Sequence, residues 1–158
     1  MRYIKRIGLL LSIICQLLYG SEVYILKKRI CFSFENQWIL SQCAHAVIDI
    51  DQHWHNRDFH LMNKSLRQFL YFCLCDVYLE SVKRVLNEPQ HLEFEDTLQT
   101  LYVCLTTGLR LLHPLMPFVT EELYQRINAA FDVTCSSISI EAYPTPCEVS
   151  IPLVKEHP

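Results

Sequence analysis

Leu70-Tyr-Phe-Cys-Leu-Cys-Asp-Val-Tyr-Leu-Glu-Ser-Val-Lys83 is the stretch on which the fold of this chain turns. No Gly or Pro interrupts it, and its apolar side chains recur at spacings of three and four, the signature of a helix with a buried side. Extended outward, Leu66, Leu70, Cys73, Val77 and Val85 form one stripe. Phe69, Phe72, Tyr78 and Leu79 widen that stripe until most of the circumference is apolar, so the helix needs neighbours on several sides. The expectation is a central rod from about Phe59 to Asn87, ended by Asn87-Glu-Pro89, because Pro cannot donate and disfavours a helical residue before it.

On the N-terminal side, Ile39, Cys43, Ala46, Ile50 and Trp54 line one face of a helix from Asn36 to about His55, with Asn36 as its cap. Asn56-Arg57-Asp58 reads as the turn into the rod, with Asp58 as the cap of the rod itself. On the C-terminal side a third helix is predicted from Leu92 or Phe94 to Leu112, its stripe being Phe94, Leu98, Leu101, Leu105 and Leu112. Gly108 within it costs about 1 kcal/mol relative to Ala, and close approach of another helix is the expected compensation. His113-Pro114 stops that helix, and the bend from Pro114 to Pro117 reorients the chain. Thr120 then caps a fourth helix, with Glu121 and Glu122 in its first turn, where the helix dipole favours negative charge. Val119, Leu123, Ile127 and Ala130 are its predicted core face. Ile138, Ile140 and Ala142 alternate with polar residues as in a short strand. The fold class is therefore all-α, an antiparallel bundle of four main helices over 34–144, with a short C-terminal strand or loop and a loose tail over 145–158.

Residues 1–33 stand apart as an apolar N-terminal extension. Arg2, Lys5 and Arg6 precede the run Ile7 to Cys15, which outlines a secretory signal, but Leu18 occupies the place where cleavage favours a small residue. The run is short for a membrane span. An extra apolar helix and a segment unrelated to the remainder are the other readings.

Fourteen Lys and Arg against seventeen Asp and Glu leave a formal charge of −3, unlike the basic balance of a free-standing nucleic-acid binder. The eight cysteines contain no Cys-x-x-Cys pair, and Cys73 and Cys75 point to opposite sides of a helix, so buried free thiols are expected and a zinc site is not. The histidines contain no His-x-x-x-His pair, and no metal site is assigned.

Beyond these physical signals, Leu74 to Glu80 resembles the Leu-Cys-Asp-(Val/Trp)-Tyr-Leu-Glu helix of the anticodon-binding domain of valyl-tRNA synthetases. Leu109-Arg-Leu-Leu-His-Pro-Leu-Met-Pro-Phe-Val-Thr-Glu-Glu-Leu123 is similar to the helix junction of the same family. Asn36-Gln-Trp-Ile-Leu-Ser41 and Thr100-Leu-Tyr-Val-Cys-Leu105 add shorter matches, in the right order. Asp76, Tyr78, Glu80, His113, Pro114, Pro117, Thr120 and Glu121 carry the motifs, and Val77 points to the eukaryotic type.

The resemblance implies a tRNA-reading module of an ATP-dependent valine–tRNA ligase, a translation enzyme of the cytoplasm or, alternatively, the mitochondrion. ATP and Mg would serve the catalytic domains. The family's His-Ile-Gly-His and Lys-Met-Ser-Lys-Ser signatures do not occur in these 158 residues, and Met62-Asn-Lys-Ser65 falls inside a predicted helix. No cofactor and no ligase activity are therefore expected of this piece alone. Its implied partners are the anticodon stem-loop of valine tRNA and the remaining synthetase domains, with no role for DNA or a membrane.

Arg57, Lys64, Arg67, Lys83 and Arg84 are the candidate tRNA contacts, with Arg110 and Arg126 as further cations. Unpaired bases stack on exposed aromatic or Arg planes. Trp54, Phe59 and Phe72 are the aromatics to inspect, although the core is the commoner place for each. Asp76, Glu80 and Lys83 share a helix face as a polar seam and not as an acid–base pair. Two other classes stand beside the RNA-binding one. A non-catalytic scaffold or interaction protein derived from the bundle predicts cations scattered and paired with carboxylates, and an independent hydrolase or metalloenzyme needs a convergent pocket these spacings do not supply.

Overall fold

A computed structural model describes residues 33–131 and 136–145. Residues 1–32 of the apolar extension and 146–158 of the C-terminal tail lie outside the described residues. The elements are α1 (Phe34–His55), α2 (Phe59–Arg67), a π-helical stretch (Gln68–Tyr78), α3 (Leu79–Leu86), α4 (Phe94–Leu112), α5 (Pro117–Ala130) and a 3-10 turn (Ile138–Ile140). α2, the π-helical stretch and α3 run end to end as one rod, so the four main helices of the bundle are α1, the rod, α4 and α5. α1 packs on both the rod and α4, and α5 packs on α4.

The rod buries Met62, Leu66, Leu70, Leu74, Tyr78 and Val82, one residue in every four. In an α-helix each step of four overshoots a full turn by about 40°, so five such steps would carry the stripe about 200° around the axis. The π-helical turns, in which the N–H of Leu79 reaches back five residues to the Leu74 carbonyl, take more residues per turn and hold the stripe on one side. This corrects the sequence reading within its central helix. Leu66, Leu70 and Cys73 are buried as expected, but Val77 is turned outward and Tyr78 takes the core.

α4 buries eleven of its nineteen residues. Gly108 is buried, and a Cβ placed there would lie 2.5 Å from Leu70 Cδ2, so the predicted close approach is made by the rod. Inside the bundle Tyr78 Oη donates to Asn36 Oδ1 at 2.7 Å, and Asn36 Nδ2 donates to Thr97 Oγ1 at 3.4 Å. The three residues are fully buried and tie the rod, α1 and α4 together.

Several local assignments change. Asn36 does not cap α1. Ser33 does, its Oγ accepting from the Asn36 N–H. Asp58 precedes α2 without a side-chain cap bond. α5 begins at Pro117, whose missing N–H is one of the donors a helix start leaves unpaired anyway. Thr120 therefore lies inside the first turn, donating to the Met116 carbonyl at 2.9 Å, and Glu121 and Glu122 fall beyond that turn. Thr120, Leu123, Tyr124, Ile127 and Asn128 form the buried face of α5, whereas Val119 is exposed. The expected strand is a 3-10 turn: Ile138 is buried, Ile140 is three-quarters exposed, and no strand occurs among the described residues.

Candidate nucleic-acid interface

The α1–α2 hairpin gathers the features that suit RNA. α1 ends in a Schellman motif, in which the Asp58 N–H reaches the His53 carbonyl at 2.9 Å and the Arg57 N–H the Trp54 carbonyl at 3.1 Å. The motif needs a left-handed residue between them, and Arg57 supplies it at φ 62°, where Gly or Asn is usual. The turn thus projects a cation at a conformational cost of roughly 1–2 kcal/mol. Either side of Arg57, Trp54 is 46% and Phe59 54% exposed, and their rings meet edge to face with centroids 5.9 Å apart. Phe72 is half exposed as well. All three aromatics, for which the core is the commoner place, are at the surface, because each falls outside the every-fourth-residue stripe or beyond the last packed turn.

The cations divide by location. Arg57, Lys64 and Arg84 are exposed, and their side chains make no hydrogen bond or ion pair among the described residues. Arg67 is exposed on α2. Lys83 pairs with Glu80 at 3.5 Å, Arg126 with Glu122 at 2.6 Å, and Arg110 donates to the Ala142 carbonyl. On the hairpin Arg57 and Lys64 thus keep their charge available, whereas Arg110 and Arg126 are engaged on the α4–α5 side.

A groove of about 320 Å³ opens between α1 and the rod next to the hairpin. Gln42, His45, Asp49 and His53 of α1 face Lys64, Ser65 and Gln68 across an apolar floor that includes Phe69. The sequence reading missed this site, although His45, Asp49 and His53 recur at spacings of four on α1. Their signal was hidden because spacing shows a shared polar face without showing what lies opposite.

The motif residues are chiefly structural. Tyr78 is the buried hydroxyl described above, and burial pushes its pKa up. Of the expected seam, Glu80 and Lys83 pair while Asp76 is exposed. His113 Nδ1 lies 2.7 Å from Thr120 Oγ1, and Ser139 Oγ lies 3.2 Å from Nε2. The Thr120 hydroxyl thus lies within hydrogen-bond reach of both the Met116 carbonyl and the His113 ring. Glu121 accepts from Gln125 Nε2 and Ser137 Oγ, each at 2.8 Å, and from the Ile138 N–H at 3.1 Å. These bonds, the one from Gln125 foremost, hold its carboxyl below the ordinary range. His113 and Glu121 thereby fasten the segment after α5 to the helix junction, and Pro114 and Pro117 shape that junction.

The thiols of Cys73, Cys75 and Cys104 are held protonated and are not poised for chemistry. A hydrogen bond to Cys43 and then burial raise the pKa of Cys104, and burial, with the Asp76 charge, pushes Cys75 up to about 11. No group of three or more His, Cys, Asp or Glu side chains able to hold a metal ion occurs among the described residues. Met62 is buried in the first turn of α2, so Met62-Asn-Lys-Ser65 is part of a packed helix and not a loop. Among the described residues no helix is long and apolar enough to cross a membrane.

The family model described as the anticodon-binding domain of tRNA ligase matches residues 36–157. A valine–tRNA ligase of Homo sapiens is 42% identical over 118 residues, covering 75% of this chain and 9% of that protein. One from Takifugu rubripes is 48% identical over 100 residues, covering 60% of this chain and 8% of that protein. One from Xanthomonas euvesicatoria is 37% identical over 113 residues, covering 72% and 12%. The chain thus matches about a tenth of the length of these relatives.

Proposed function

Because this chain belongs to the family of anticodon-binding domains of tRNA ligases, we propose that it docks the anticodon stem-loop of valine tRNA and supports ATP-dependent valylation carried out by other domains of a valine–tRNA ligase. The tRNA part rests on the family match, and the choice of valine on the names of the relatives at 36–48% identity. The observation that carries the reading on this chain itself is the hairpin, where an exposed aromatic pair flanks an Arg held in a strained turn and an unpaired Lys64 stands on α2. ATP and Mg act elsewhere in the assembly, and the working compartment is the cytoplasm, with the mitochondrion as the alternative. A net charge of −3 makes the affinity weak and salt-sensitive, because phosphate contacts supply most of the attraction.

Gel-shift titration of the full chain against valine tRNA and an anticodon-swapped control tests the proposal. Tighter binding to valine tRNA, lost on Arg57→Glu or Lys64→Glu and kept on Arg126→Glu, supports it. Equal affinity for the two RNAs refutes the reading of the anticodon. The scaffold alternative draws on the paired cations Lys83, Arg110 and Arg126, and it predicts no RNA binding at all.

A further inference from the structure

The groove between α1 and the rod carries two opposite charges that the fold leaves without partners among the described residues. Asp49 and Lys64 both line the groove, yet they form no ion pair with each other and no other bond among the described residues. Exposed opposite charges gain little from pairing with one another, so both side chains stay available to a ligand. Asp49 and Lys64 therefore flank a space suited to a ligand that presents a donor to the carboxylate and a negative charge to the ammonium. The apolar floor, with Phe69 and Ala46, suits a flat aromatic ring, and 320 Å³ lies at the lower end of the range that takes small ligands.

We propose that this groove takes one unpaired nucleotide whose base carries an exocyclic amino group, with the amine donating to Asp49 and the phosphate held at Lys64. The proposal rests on the RNA-binding reading and adds to it a chemical preference. Cytosine, adenine and guanine bear such an amine and uracil does not, so Asp49 discriminates among bases by the same logic as a carboxylate accepting from an exocyclic amine of duplex DNA. The exposed Trp54–Phe59 pair, whose Trp54 directly follows the groove-lining His53, offers a surface for a neighbouring base to stack on.

The full chain is titrated with hexameric single strands of cytidine, adenosine or uridine, read by intrinsic tryptophan fluorescence, and separately with valine tRNA. The cytidine and adenosine strands are expected to bind about fivefold to tenfold more tightly than the uridine strand. Asp49→Asn removes that preference while leaving uridine binding unchanged, and Lys64→Gln weakens all three. Both residues are exposed, and unchanged circular dichroism confirms folding. Equal affinity for the three strands, or a preference that survives Asp49→Asn, overturns the proposal. If valine tRNA binds specifically but Asp49→Asn and Lys64→Gln leave its affinity unchanged, the groove assignment falls and the anticodon reading stands. If the amine preference appears but valine tRNA and its swapped control bind alike, the anticodon reading falls and the groove stands.

Discussion

Replacing Gly108 with Ala sets two opposing effects against each other. In an exposed helix the change stabilises by about 1 kcal/mol, because Ala loses less backbone entropy on folding. Here the new methyl would lie 2.5 Å from Leu70 Cδ2, a side chain that is itself 7% exposed, and 3.5 Å from Phe69 Cε1. Forcing a packed core to accept one more carbon costs about 1–3 kcal/mol. With about 2 kcal/mol for the clash, Gly108→Ala should destabilise the chain by about 1 kcal/mol net, lowering the melting temperature by about 2–4 °C for a protein of this size. Leu70→Ala removes the offending atom at its own cost of about 2–5 kcal/mol. In that background the methyl meets only Phe69 at ordinary contact distance, and Gly108→Ala should now stabilise by about 1 kcal/mol. The cycle predicts a coupling of about 2 kcal/mol, within the range for touching residues. Urea unfolding of the four proteins, followed by far-UV circular dichroism, measures it. A stabilising Gly108→Ala in the unaltered chain, or the same effect in both backgrounds, refutes the close approach of α4 and the rod.

The buried network, the hairpin and the segment after α5 each carry a further expectation. Tyr78→Phe leaves Asn36 Oδ1 without its 2.7 Å donor in a fully buried position and should cost about 1–3 kcal/mol in the same unfolding assay. Arg57→Gly relieves the left-handed strain and should raise stability by about 0.5–1 kcal/mol, while weakening tRNA binding and lowering its salt dependence by about one phosphate contact. Unchanged stability together with unchanged binding would remove any reason for an Arg at that turn. Glu121 has its folded pKa lowered, so its contribution to stability is present above the unfolded value and is lost as pH falls through the folded one. Below about its ordinary 4.5, attachment of the Ser137–Ile138 segment should weaken, seen as faster amide exchange there, and Glu121→Gln should flatten that acid limb.

Much of the bundle was legible because helix periodicity and breakers act locally. α4 was expected from Leu92 or Phe94 to Leu112, and it runs from Phe94 to Leu112. Gly108 announced a close neighbour without naming Leu70 as that neighbour. Local chemistry misled where two local partners competed. Asn36 is a good cap by type, but Ser33 reached the helix end first and released Asn36 to the Tyr78 network. The alternation around Ile138 matched a strand until Ser137 and Glu121 bonded the backbone of the turn.

What the sequence alone determined was the all-helical class, the order of the four main helices and the family resemblance, since these depend on side-chain period, Pro and Gly positions and short motifs read along the chain. What only the tertiary structure decided was the π-helical winding of Gln68–Tyr78, the surfacing of Trp54, Phe59 and Phe72, and the meeting of Asp49, His53 and Lys64 across one groove. The reason is physical. The phase of an overwide apolar stripe, and the partner a polar group finds across a gap, are set by neighbours from other elements, and spacing within one element does not encode where those neighbours lie.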